Sequence, residues 1–206
     1  MSMTLSDLRT ELATKLGCVA DKFTDPDGLN QLLTTAAADL ARRKPTVVHA
    51  TLTVTALQSD YASPADLHHV MGDDWGQAER AENNPWDDAY PQRLPMLMKA
   101  WVSGSQVLRL LPAPTAAQVQ ALGSTYPYRY AIKHTLSETE SETTVPDTQR
   151  DLLLLRATAE AMLQLAGRGV TTPVTLGPGG SNTPKNGTPG ALAEQFDKLF
   201  LAGCAA

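Results

Sequence analysis

Leu5, Leu8, Leu12 and Leu16 recur at helical spacing, with Thr4 or Ser6 placed to cap the segment and Gly17 to stop it. A second helix is expected over 29–43, opening after Asp25-Pro26-Asp27-Gly28. It carries Leu29, Leu32, Leu33, Ala36, Ala37 and Leu40 on one side. Arg42-Arg43-Lys44 closes it, where positive charge suits the negative end of the helix dipole, and Pro45 cannot continue the hydrogen-bond ladder. From Thr46 the period becomes two. Val48, Ala50, Leu52, Val54 and Ala56 alternate with His49, Thr51, Thr53 and Thr55, which predicts a half-buried strand over 46–57. Residues 61–67 read as a turn or short helical turn, and 68–71 as a returning strand.

A β meander follows. Met96–Val102 and Gln106–Leu111 flank the Ser103-Gly104-Ser105 turn, and a third strand is expected over 119–132 through Tyr126, Tyr128 and Tyr130. After an acidic loop, Val145-Pro146-Asp147 opens a helix over 147–166. Gln149, Arg156, Glu160 and Gln164 form its narrow polar stripe, and Leu and Ala cover most of the rest of its girth. Such a helix is central, packed by several neighbours in one chain or by another subunit, and periodicity leaves both open. The switches of period predict an α+β protein: a small helical bundle with a long central helix, packed beside a small, mostly antiparallel sheet.

Three divisions follow from composition: a core over 1–167 with an inserted β meander, a Gly/Pro-rich linker over 168–190, and a C-terminal helix over 191–206. Leu192, Phe196, Leu199 and Phe200 make one apolar face on that last helix. It either folds back on its own core or docks elsewhere. Gly72–Pro95 shows no period. It holds six acidic residues against Arg80 and Arg93, together with Trp75, Trp86 and Tyr90. Long loops of this kind are commonly functional, and Trp and Tyr are typical interface anchors. Trp75, Trp86 and Tyr90 are therefore candidate partner contacts, with Ala159 and Ala161 candidates for close subunit approach on the central helix. Leu192, Phe196, Leu199 and Phe200 complete the set.

The chain has 206 residues and a formal charge of −5. That acidity argues against gripping nucleic acid by its phosphates, though not against a surface past which DNA slides. Cys18 and Cys204 lack metal-ligand spacing and read as reduced, structurally minor thiols. No apolar run approaches a membrane span, and no signal-peptide core opens the chain. His68-His69 with Asp73-Asp74 is the nearest approach to a metal site, but neighbouring strand residues are expected on opposite faces. Leu176–Ser181 is glycine-rich without the Lys-Ser/Thr ending of a phosphate loop. Ser103 is not in a nucleophile elbow, and Glu138, Glu140 and Glu142 read as a solvated loop. No enzyme, metal or cofactor is expected.

In order along the chain, several short motifs resemble the head-to-tail connector (adaptor) proteins of tailed bacteriophages. They are the two N-terminal helices, with Leu29-Asn30 in the second, and Tyr61-Ala62-Ser63-Pro64-Ala65-Asp66, similar to a Tyr-x-Leu-Pro-x-Asp turn with Ser63 in place of Leu. They continue with Leu108–Leu111 running into Pro112-Ala113-Pro114, then Tyr126-Pro127-Tyr128, and Val145-Pro146-Asp147 entering the Leu/Ala helix. The resemblance implies a structural virion protein of the neck, assembled in the host cytoplasm. Its copies form a homo-oligomeric, dodecameric ring between the portal and the tail or its stopper/nozzle protein. That ring extends the channel for double-stranded DNA, without sequence-specific binding and without a membrane. Two other readings remain: a tail-completion or stopper protein of the same particle, and a small hydrolase or metal-binding domain centred on Gly72–Pro95.

Overall fold

The computed structural model describes residues 3–23, 26–87, 90–177 and 187–205, the side chains of Pro26 and Asp27 excepted. Asp88 of the acidic loop and residues 178–186 of the linker lie outside these. The chain is α+β, as its periods predict, and divides into two compact units: residues 1–45 with 133–206, and residues 46–132. The β meander is thus an insertion between the second and the long helix, and the C-terminal helix belongs to the first unit.

The first unit is helical: α1 (Leu5–Leu16), α2 (Pro26–Arg43), α5 (Arg150–Gly167) and α6 (Pro189–Ala205), with a 3-10 turn at Gly17–Lys22 and another at Asp147–Gln149 leading into α5. Thr4 caps α1 by accepting a hydrogen bond from the Asp7 amide at 3.2 Å. Amides at and just before the start of α1 find further partners in the acidic loop. Glu138 accepts from the Ser6 N–H at 3.2 Å, and Glu140 from the Met3 N–H at 3.1 Å. Those carboxylates, expected to be merely solvated, complement the positive end of the α1 dipole.

Leu8, Leu12 and Leu16 of α1 meet Leu32, Leu33, Ala36 and Leu40 of α2 in a core that α5 completes with Leu153, Leu154, Ala157, Ala161, Met162 and Leu165. α5 packs on α6, α2 and α1. Arg156 and Glu160 of its polar stripe are engaged, as is Arg150 at the start of the helix. Arg150 makes paired hydrogen bonds to Glu11 of α1 at 2.7 and 2.9 Å. Arg156 reaches Asp39 of α2 at 2.7 Å, Glu160 at 3.3 Å and Asp197 of α6 at 3.8 Å.

The second unit holds two three-stranded antiparallel sheets, ordered β1-β6-β3 and β2-β5-β4, where a single sheet was expected. The strands are β1 (Val47–Thr53), β2 (Asp60–Ala62), β3 (Leu67–Asp73), β4 (Met96–Val102), β5 (Ser105–Leu111) and β6 (Thr125–Ile132). Ser103 and Gly104 both have positive φ, 48° and 81°, so β4 and β5 join through a two-residue turn whose twist suits a hairpin. Tyr61, expected in a turn, lies in β2. Its hydroxyl accepts from the Thr55 N–H at 3.0 Å and donates to the Thr55 or Gln58 carbonyl at 3.2 or 3.1 Å, holding the β1–β2 connection.

Two short helices were not expected. α3 (Gln77–Glu82) lies within the acidic, aromatic segment. α4 (Ala116–Leu122) replaces the start of the strand predicted over 119–132. A reciprocal cap fixes α4: the Thr115 hydroxyl accepts from the Gln118 amide and the Gln118 side chain accepts from the Thr115 amide. The core of this unit gathers Tyr61, Leu67, Trp75, Leu97, Leu108, Leu110, Tyr126, Tyr128 and Tyr130.

Gly17 closes α1 with φ +58°, and a Cβ there would stand 2.7 Å from the Gly177 carbonyl oxygen, a backbone atom that cannot rotate aside. Gly17→Ala is expected to lower stability by about 1–3 kcal/mol through backbone strain alone. Urea denaturation followed by far-ultraviolet circular dichroism checks this, with Gly104→Ala as a comparison, since nothing crowds a Cβ at that turn.

Candidate interaction surfaces

Side chains on β2, β5 and β4 alternate between two faces. Tyr61, Leu97, Leu108 and Leu110 point into the core. The other face follows from the register in four rows: Met96 beside Leu111, Met98 beside Arg109 beside Asp60, Ala100 beside Val107 beside Ala62, and Val102 beside Ser105. This outer face is apolar at seven of those ten positions. Met96, Leu111 and Met98 are 64%, 53% and 37% exposed. A sheet that shows one face to water ordinarily carries polar residues there, so an apolar outer face marks a contact surface.

Asp60 and Arg109 interrupt the apolar rows as a bidentate pair at 2.6 and 2.8 Å. The Arg109 guanidinium, mainly through its hydrogen bonds, holds the Asp60 carboxyl below the usual carboxylate range, and Asp60 raises Arg109 in return. With its folded-state pKa depressed, Asp60 stays ionised above the ordinary carboxylate value and gives up its stabilising share only as pH falls through the lowered one. The face therefore carries no net charge at neutral pH. At the hairpin tip Trp101 is 67% exposed and belongs to the opposite row of β4, next to neither Met96 nor Met98.

The residues singled out from sequence separate into distinct groups. Trp75, expected at a partner contact, is 3% exposed, tilts against Tyr126 with ring centroids 5.4 Å apart, and donates its indole N–H to the Gly123 carbonyl at 3.2 Å. It is a core residue, because its one polar atom finds a partner inside. Trp86 from the same segment is 79% exposed. Tyr90 is half-buried, its hydroxyl accepting from Arg80 Nε at 2.8 Å while the guanidinium lies over its ring. Ala159 and Ala161 are buried within the first unit, so neither is open to a second subunit in this conformation. Leu192 and Phe200 are buried in the helical core and Phe196 is packed against it, whereas Leu199 is exposed. The apolar face of α6 is thus largely occupied by its own unit.

His68 and His69 do not point apart as neighbouring strand residues should. A register shift between Leu67 and His69 inserts a bulge in β3, and their Nδ1 atoms lie 2.7 Å apart. Among the described residues no group of three or more His, Cys, Asp or Glu gathers as metal ligands. Both cysteines are free thiols. Among the described residues no helix is long and apolar enough to cross a membrane.

Two depressions mark the helical unit. One, of about 500 Å³, is lined by Asp39, Arg42, Arg43, Arg156 and Asp197 with Phe200 and Leu201, and Arg42 and Arg156 pair there with Asp39, and Arg156 with Asp197 as well. The other, of about 530 Å³, is a largely apolar groove between α1, α5 and α6, with Leu155, Leu176 and Phe196 in its wall. Neither assembles a nucleophile with a base.

An α+β scaffold whose most distinctive surface is an uncharged apolar sheet face has the character of an assembly protein. The family match agrees: the SU10 adaptor protein family matches residues 3–173, and the chain belongs to it. That makes it a phage structural adaptor, as the sequence resemblance implied. The matched span takes in the whole β unit and α1, α2 and α5, and ends before α6. No curated protein matches the chain.

The two tryptophans of the 72–95 segment should separate cleanly. Trp75→Ala is expected to cost about 3–5 kcal/mol, and Trp86→Ala to stay within ~0.5 kcal/mol of the parent. Chemical denaturation of each variant, monitored by tyrosine and residual tryptophan fluorescence, measures both.

Proposed function

We propose that this chain is a head-to-tail adaptor whose copies form a ring between the portal and the tail, extending the channel for double-stranded DNA. The observation that carries the reading is the family match over residues 3–173, read together with an apolar sheet face on which Met96, Met98 and Leu111 stay exposed. A protein that works alone gains nothing from exposing Met96, Met98 and Leu111, whereas a subunit gains binding energy when a neighbour removes them from water. The Asp60–Arg109 pair suits the same role, since a contact face that keeps its charges matched avoids burying an uncompensated ion. Trp86, Trp101 and Leu199 are further exposed anchors for a ring neighbour, the portal or a tail protein. The net charge of −5 fits a conduit, because an acidic wall repels the phosphates that a basic one would hold. On this reading the role is mechanical and non-catalytic, and a dodecamer is the copy number we propose.

Met98→Lys tests the face. Met98 sits in the middle of it and is partly exposed, and lysine there stands opposite Arg109, so it should cost the free chain no more than about 1 kcal/mol. In a contact it buries an unpaired charge. Negative-stain microscopy of the chain, alone and mixed with its portal, should show rings for the parent and few or none for the variant. Rings of equal yield would remove this face from the interface, and a parent that stays monomeric even on the portal would end the adaptor reading.

A further inference from the structure

Among the described residues, the unit of residues 46–132 also leaves one strand edge open, and its geometry specifies what would close it. The β1–β6 ladder is unbroken from Val47↔Ala131 to Thr53↔Thr125. At its ends the Ile132 N–H donates to the Thr46 carbonyl at 3.0 Å and the Val54 N–H to the Ser124 carbonyl at 2.8 Å. Even-numbered residues of β1 therefore turn their backbone groups toward β6. Val47, His49, Thr51 and Thr53 turn theirs outward. Among the described residues, none of these outward N–H and C=O groups has a hydrogen-bond partner, and all four residues are exposed.

Natural edge strands are blunted by shortness, charge, proline, bulges or cover. β1 has none of these: residues 46–55 contain no Asp, Glu, Lys, Arg or Pro. The other three edges of the unit are all blunted. β2 has three residues, and the Asp60 carbonyl is taken by the Gln58 side chain at 2.9 Å. β3 carries two register shifts. On β4 the Leu97 N–H is held by Asp73 at 3.4 Å, and Lys99 spans to the His68 carbonyl at 2.9 Å.

We propose that the open edge of β1 receives an extended segment of a different virion polypeptide, which adds as a fourth strand to the β1-β6-β3 sheet. Backbone pairing supplies the attachment, and the two rows of β1 state the chemistry of the segment. Val48, Ala50 and Leu52 pack at the rim of the core yet remain half-buried, so the incoming strand carries apolar side chains at every second position to cover them. Its alternate residues lie beside Val47, His49, Thr51 and Thr53 and are small, uncharged or β-branched. A run of about seven residues, ~23 Å, matches the full edge. A second copy of this chain is the poorer fit. Its other edges are blunted, and β1 paired with β1 of a mate gives a closed two-fold pair that does not propagate around a ring. That last step rests on the adaptor reading.

The test uses the full-length chain and phage heads purified from particles assembled without it. In the free chain the amides of Val47, His49, Thr51 and Thr53 should exchange hydrogen rapidly while those of Val48, Ala50 and Leu52 are protected. On the heads the outward four should slow at least tenfold. Thr51→Pro removes an outward N–H and leaves the ladder to β6 intact, because proline is tolerated on the open side of an edge strand. It should keep protection at Val48 and Leu52 and lose at least tenfold in binding to heads, as should Thr53→Pro. Heads bound with the outward amides still fast, or bound equally by both proline variants, overturn the proposal and leave the adaptor reading standing. A free dimer abolished by Thr51→Pro overturns it in favour of the second copy. A parent chain that does not bind heads overturns the adaptor reading and this proposal with it.

Discussion

The helical unit depends on the burial of α5. Leu and Ala cover so much of that helix that one neighbour cannot shield it, and α1, α2 and α6 together do. Each of the three is also tied to α5 through an arginine, Arg150 at its start to Glu11 and Arg156 of the polar stripe to both Asp39 and Asp197. Apolar burial supplies the stabilisation, and the ion pairs fix which turn of each neighbour lies opposite which turn of α5. This division of labour explains why α6, beyond the matched span of the family and after a Gly/Pro-rich linker, still belongs to the same core.

The sheet unit meets a different constraint. Its two sheets fill one core with Leu and Tyr side chains, and buried hydroxyls find partners: Tyr126 donates to the Pro95 carbonyl at 3.0 Å, and burial pushes its phenol pKa upward. That core consumes one face of β2-β5-β4 and leaves the other apolar as well. On the proposed adaptor role, the excess apolar surface is what connects fold to function in this chain. A domain shaped only for its own stability would place polar residues where Met96, Met98 and Leu111 stand.

Much of this architecture was legible in the sequence. The four helices of the first unit announce themselves through three- and four-residue spacing, and the β4–β5 hairpin through Ser103-Gly104 between apolar runs. α4 carries its own signal, since Thr115 and Gln118 have the spacing of a reciprocal cap, but the tyrosine alternation of β6 runs up to Gly123 and masks it. β2 had no local signal, because three residues become a strand only by pairing with distant β5. The same holds for His68 and His69, whose bulge is set by the β6 register. Among the candidate contacts, Trp75 and Trp86 share an aperiodic, acidic segment, and nothing local distinguishes the tryptophan whose indole finds the Gly123 carbonyl from the one left in solvent. The outer sheet face is visible in principle, since β4 is apolar at every position of its outer row and, but for Lys99, of its inner one.

The central claim is that this face is covered by another subunit or partner in the particle. Methionine oxidation reads it directly, because thioethers exposed to water oxidise and buried ones are spared. Limited peroxide treatment of the free chain and of intact virions, followed by peptide mass spectrometry, should show Met96 and Met98 oxidised in the free chain and protected in the virion. Met162, buried in the helical core, should stay protected in both. Equal oxidation of Met96 and Met98 in the two samples would contradict the account.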